Sequence, residues 1–183
     1  MPELSISKAS AAVVALTLAL APAPALAVVD AAGGYVFGTA GISGQGEQQP
    51  FDFGYRVGLG GLLGSHEPKI GAASLVGLGV ELRQDLLGSD IHTGVLAGAT
   101  RSVEFLGASY DYGLLAGPEW AAGERGTALL GAASLKVLLG ALDPHSAVHV
   151  KARVEGGAAA FGDLWSPRYG LTLGLEWRLL GRI

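Results

Sequence analysis

Large apolar residues recur at every second position through most of this chain. Phe51, Phe53, Tyr55, Val57 and Leu59 alternate with Asp52, Gly54, Arg56 and Gly58. Tyr169, Leu171, Leu173, Leu175, Trp177 and Leu179 alternate with Gly170, Thr172, Gly174, Glu176 and Arg178, and Val148, Val150, Ala152 and Val154 with His149, Lys151, Arg153 and Glu155. A strand turns successive side chains to opposite faces, so each segment has one apolar face and one polar or small face; a helix would scatter the same residues around its circumference.

Residues that favour turns cut the pattern at 43–50, 64–69, 86–90, 120–126, 143–146 and 162–167, with a weakly marked break near 103–107. The strands so implied cover about 33–43, 51–63, 70–83, 90–102, 107–118, 127–141, 146–160 and 168–181. The predicted fold is all-β: an eight-stranded antiparallel up-and-down barrel, whose even strand count lets the sheet close with no unpaired edge. The recurrence of Gly71-Ala72-Ala73-Ser74-Leu75 as Gly131-Ala132-Ala133-Ser134-Leu135 is low complexity rather than duplication, because the next positions, Val76 and Lys136, put the apolar phase out of step.

A closed sheet can turn its bulky phase inward, as a soluble carrier does, or outward into lipid. A soluble carrier needs a water-facing phase dense in charge. Here that phase is mostly Gly, Ala, Ser and Thr, which suits the interior of a narrow barrel, so the bulky phase is expected to face hydrocarbon as a transmembrane barrel requires. About ten residues at roughly 3.3 Å each, tilted by about 45°, rise roughly 23 Å, close to the apolar height of such barrels. Tyr35, Phe37, Phe51, Phe53, Tyr55, Tyr110, Tyr112, Tyr169 and Trp177 fall toward strand ends, where interfacial girdles are expected.

In this pattern the chain resembles the small outer-membrane β-barrels of the OmpA/OmpX type. The resemblance covers all of residues 28–183 and is one of pattern, with no family-specific stretch. It implies a Gram-negative cell outer membrane as the location, outer-membrane lipid and the barrel-assembly machinery as partners, and a porin-like architecture. Leu175, Trp177 and Leu179 in phase with Ile183 partly match the C-terminal assembly signal of such proteins, although Gly181 interrupts the phase.

Composition sharpens the reading. Charged residues make up 15% of the chain, against about 25% in ordinary soluble domains. There is no Cys, so neither disulfides nor a lipidated cysteine is available. The N-terminus supplies a route of export: Lys8, an apolar run from Ala9 to Leu20, Pro22 and Pro24, then Ala25-Leu26-Ala27 read as a cleaved signal peptide at residues 1–27. The net charge of −4 carries no basic run, so no nucleic-acid partner is expected, and the barrel is read as a monomer.

The candidate chemistry lies in the inward charges. Folding the last hairpins about their turns predicts Arg153 opposite Glu176, Lys151 diagonal to Glu176, and Lys136 near Arg153 and diagonal to Glu155. A second group places Arg83 diagonal to Asp52, with Arg56 and Glu81 nearby. Opposite charges inside a narrow barrel must pair, so the first reading is a lumen plugged by ion pairs in a structural or surface-interaction barrel. The alternative is a narrow passive channel for ions or small solutes. A lipid-modifying enzyme is disfavoured. The lipid-deacylating barrels place a His and a Ser two residues apart on one strand face, whereas His145 and Ser146 are adjacent, His66 falls in a turn, and no Ser stands two from His149. No spacing points to a metal or cofactor, and Gly58-Leu59-Gly60-Gly61 is no phosphate loop. The turns at 45–49, 120–125 and 163–168, with Trp120 and Trp165, are the candidate surface contacts.

Overall fold

The computed structural model describes residues 29–182 apart from 47–48, 70–71, 88–89, 106–107, 144 and 163. The signal-peptide reading of residues 1–27 and the role of Ile183 therefore lie outside the described residues. Eight strands follow in order: β1 (Ala31–Gln45), β2 (Gln49–Lys69), β3 (Ala72–Leu87), β4 (Asp90–Phe105), β5 (Ala108–Ala121), β6 (Glu124–Asp143), β7 (Ser146–Phe161) and β8 (Leu164–Arg182). Each pairs antiparallel with its sequence neighbour, and β8 returns to β1 to close the barrel.

All eight strands lie where the alternation predicts, and each runs longer than expected. The largest extension corrects the break at 64–69, which is strand: Gly64 pairs with Gly77 and His66 with Leu75. His66 is thus a strand residue, not a turn residue. Similarly, β3 continues to Leu87 and β8 begins at Leu164. Strand length wins over turn propensity here because each added residue extends a ladder already nucleated by its neighbours.

Register fixes the girth. A walk along paired residues from Ala31 through Gly64, Gly77, Thr100, Gly113, Ala132, Glu155 and Gly170 returns to β1 at Ser43, twelve positions further on. With strands about 4.8 Å apart and a rise of about 3.3 Å per residue, that stagger sets a tilt of about 45° and a backbone radius of roughly 9 Å.

The two faces differ sharply in chemistry. Phe53, Leu59, Leu63, Val154, Leu171, Leu173 and Leu175 are exposed on the outside, whereas Glu81, Arg83, Asp85, Lys136 and Glu176 are buried inside. Two aromatics depart from the expected girdle. Phe37 is buried in the lumen, and Tyr35 donates its hydroxyl to Glu81 Oε2 at 3.1 Å. They fit because their cross-strand partners are Gly58 and Gly60, whose faces the rings cover. A Cβ on Gly58 would stand 2.7 Å from Phe37 Cζ.

Candidate functional site: a charged lumen

Strands β3 and β7 stand four apart in the ring, the widest separation an eight-stranded barrel offers, and run in the same direction. β3 carries Glu81 and Arg83; β7 carries Arg153 and Glu155, the same charges in reverse order. Each acid therefore meets a base across the diameter. Arg153 Nη1 and Nη2 donate to Glu81 at 2.9 and 3.1 Å, a bidentate fork, and Arg83 Nη1 donates to Glu155 at 3.0 and 3.2 Å. Arg83 also lies 3.8 Å from Glu81 on its own strand, and Arg153 pairs with Glu155. The result is a closed quartet across the lumen.

Two further layers stack on it. Toward the turn end opposite residues 31 and 182, Arg56 joins Glu155 to Asp85, at 2.6 Å from each. Asp85 also meets Arg83 at 3.1 Å and Arg168 at 3.3 Å. Arg168 forks onto Glu119 at 2.5 and 2.7 Å, and His92 Nδ1 stands 3.2 Å from the same carboxylate, edge-on to Phe161. Toward the other end, Glu176 holds Lys151 at 2.5 Å and Lys136 at 3.1 Å. Lys136 also pairs with Asp111, which accepts from Ser102 at 2.6 Å and lies 3.7 Å from Arg178. Lys151 Nζ sits over the Phe37 ring, 4.6 Å from its centroid.

Among the described residues the lumen thus gathers seven cations (Arg56, Arg83, Lys136, Lys151, Arg153, Arg168, Arg178) and six carboxylates (Glu81, Asp85, Asp111, Glu119, Glu155, Glu176), near neutrality with the histidines uncharged. Beside the quartet is a cavity of about 60 Å³, bounded by Tyr35, Leu62, Thr100, Ser134, Lys151 and Arg153.

The structure brings Lys136, Lys151, Arg153, Glu155, Glu176, Arg56, Glu81 and Arg83 into one lumen but groups them differently. Arg153 and Glu155 join Arg56, Glu81 and Arg83, while Lys136, Lys151 and Glu176 form a second set, and the two meet at the Phe37 ring between Lys151 and Arg153. Asp52 is not part of it. It is exposed near the rim, opposite Ser43, and its carboxylate accepts the Phe53 amide at 2.7 Å. Arg83 stands opposite Gly58 instead, because β2 runs on through 64–69 and the β2–β3 register moves with it. Arg153 faces Thr172 rather than Glu176, which stands opposite His149; Lys151 keeps its diagonal to Glu176. Lys136 stands opposite Lys151 and reaches past it to Glu176, leaving Glu155 to the arginines.

The sequence reading omitted Asp85, His92, Asp111, Glu119, Arg168 and Arg178. Asp85 and Glu119 lie beyond the strand ends that the alternation predicts, and Arg168, expected in an exposed turn, is buried. Arg178 and Asp111 were legible, since both share the inward phase of their strands.

No protein family is matched by the sequence, and no curated protein matches it. Among solved structures, the chain is similar to Neisserial surface protein A (NspA), with 12% identity over 80% of this chain and 96% of that one and a TM-score of 0.48. It is also similar to Ail, the attachment invasion locus protein of Yersinia pestis, with 11% identity over 83% of this chain and 100% of that one and a TM-score of 0.27.

Proposed function

We propose that this protein is an outer-membrane β-barrel of a Gram-negative envelope with a structural or surface-interaction role, its lumen closed by ion pairs and its chemistry non-enzymatic. Residues 1–27 serve as the export signal, and the barrel works as a monomer in outer-membrane lipid after insertion by the assembly machinery. The exterior supports a lipid setting. Trp120 and Tyr112 share the outer face of β5, eight residues apart, or about 19 Å along the axis at the tilt set by the register. Trp165 and Phe53 lie toward the Trp120 end and Tyr110 and Trp177 toward the other, with Leu, Val and Ala between.

The observation that carries the closed lumen is the quartet of Glu81, Arg83, Arg153 and Glu155. Paired groups on opposite walls fill the diameter that a solute or hydrated ion would have to cross. The exposed Trp120, Glu124, Arg125 and Trp165 form the rim at the end away from residues 31 and 182, where surface contacts would be made.

Planar-bilayer recording of the purified protein tests this reading. No discrete conductance step is expected from the native chain. A reproducible step at neutral pH would show an open path and favour the narrow channel.

A further inference from the structure

At the end that holds residues 31 and 182, β6 outruns β5, while β8 runs on to Arg182 beside the β6–β7 hairpin. β5 reaches β6 only as far as the pair Ala108–Val137; from Leu138 to Asp143, among the described residues, β6 is laddered to β7 alone. This extension is apolar on both faces. Leu138 is 47% exposed, Leu139 66% and Leu142 69%, the last two among the most exposed large apolar side chains of the barrel. Two register shifts, between Leu138 and Gly140 and between Ala141 and Asp143, break the regular ladder there. Such bulges bend and twist a hairpin out of the line of its sheet.

Its position matters. Leu135 stands opposite Tyr110 at the termini-side aromatic ring, and Leu142 lies between five and six ladder steps further along β6 once the two shifts are taken out, about 13 Å along the axis at a tilt of about 45°. That is deeper than one headgroup layer, roughly 5–8 Å thick. A straight extension would carry Leu142 into water.

We propose that this hairpin end is a membrane-surface anchor, its leucines seated in the headgroup–acyl boundary of the leaflet on the termini side. The inference rests on the lipid setting proposed above. The occupant is argued from continuity: Leu135, Val137 and Leu139 extend the lipid-facing row of β6 without interruption. The β5-facing edge of 138–143 has no strand beside it among the described residues and cannot enter hydrocarbon, where nothing would satisfy it, but it can meet water and headgroups at the interface. Asp143 and His145 at the tip are exposed and suit that boundary, the His145 amide donating to Asp143 Oδ1 at 2.7 Å. A second copy is a poorer fit for the free edge. Two barrels in one membrane are related by an axis along its normal, which sets edges tilted by about 45° across one another rather than side by side.

The chain has no Cys, so single labels are unambiguous. Leu142→Cys, Leu173→Cys and Ala122→Cys are each labelled with an environment-sensitive fluorophore in phosphatidylethanolamine/phosphatidylglycerol vesicles at several protein-to-lipid ratios. At Leu142→Cys the inference predicts blue-shifted emission, loss of iodide quenching, and quenching by nitroxides at the headgroup or first acyl carbons, all independent of protein density. Water-like emission at Leu142→Cys with lipid-like emission at Leu173→Cys would overturn the anchor and leave the membrane barrel intact. Protection that grows with protein density and resists the lipid nitroxides would overturn it in favour of a second copy. Water-like emission at both Leu173→Cys and Ala122→Cys would refute the lipid setting itself.

Discussion

Replacing Arg153 with Gln takes a cation from two buried carboxylates at once, leaving Glu155 to Arg56 and Arg83 and Glu81 to Tyr35 and the more distant Arg83. Removing one member of a buried charge pair typically costs about 3–5 kcal/mol, far more than the net contribution of the intact pair. Arg153→Gln should therefore lower the urea midpoint of the barrel in detergent micelles markedly, and the double variant Glu81→Gln/Arg153→Gln should recover part of the loss. Equal losses in the single and double variants would mean that the pairing is not what stabilises the lumen. Residue-scale legibility was uneven for a physical reason. Inward charge could be read from phase, but long Arg and Lys side chains choose partners across the lumen, and cross-lumen distance is invisible until the ring is closed in register. The reversed order of Glu81-x-Arg83 and Arg153-x-Glu155 carried the information without the geometry to use it.

Elements were legible through their period and misjudged at their ends. Moving a hairpin turn by n residues shifts cross-strand partners by twice that amount, so the turn placed at 64–69 was enough to bring Asp52 toward Arg83 in expectation and leave it at the rim in fact. Glycine carried a meaning that alternation alone could not supply. Gly60 leaves room for the Tyr35 ring, and any Cβ there would strike it. Gly60→Val should displace the ring from Glu81 and destabilise the barrel by about 1–3 kcal/mol, as overpacking does, while Gly38→Ala, with its nearest neighbour atom 3.9 Å away on Val57, should be near neutral. The heat-modifiable gel shift of folded barrel reports both. The β5–β6 turn makes a second element-scale point. Ala122 and Gly123 have φ of 50° and 84°, the left-handed pair that a tight hairpin needs. Ala tolerates this poorly, so Ala122→Asn should stabilise the hairpin by about 1 kcal/mol, read as a raised urea midpoint.

At the scale of the whole molecule, the barrel inverts the ordinary distribution of chemistry: leucine outside, arginine and glutamate within. That arrangement was readable from the sequence because the non-bulky phase is largely Gly, Ala, Ser and Thr, which a narrow interior accommodates, and because an even number of long strands can close. A stagger of twelve was not readable, since it is the sum of eight registers, each fixed by a turn whose position shifts by a few residues. The stagger gives the lumen its girth, and the girth explains why so many long charged side chains are needed to fill it.

Spin labels placed singly at every position from Leu171 to Glu176 of β8 in bilayers measure that inversion most directly. Oxygen accessibility should alternate with a period of two, high at Leu171, Leu173 and Leu175 and low at Thr172, Gly174 and Glu176. Leucine positions shielded from oxygen, with Thr172 and Glu176 open to a water-soluble relaxant, would contradict the account.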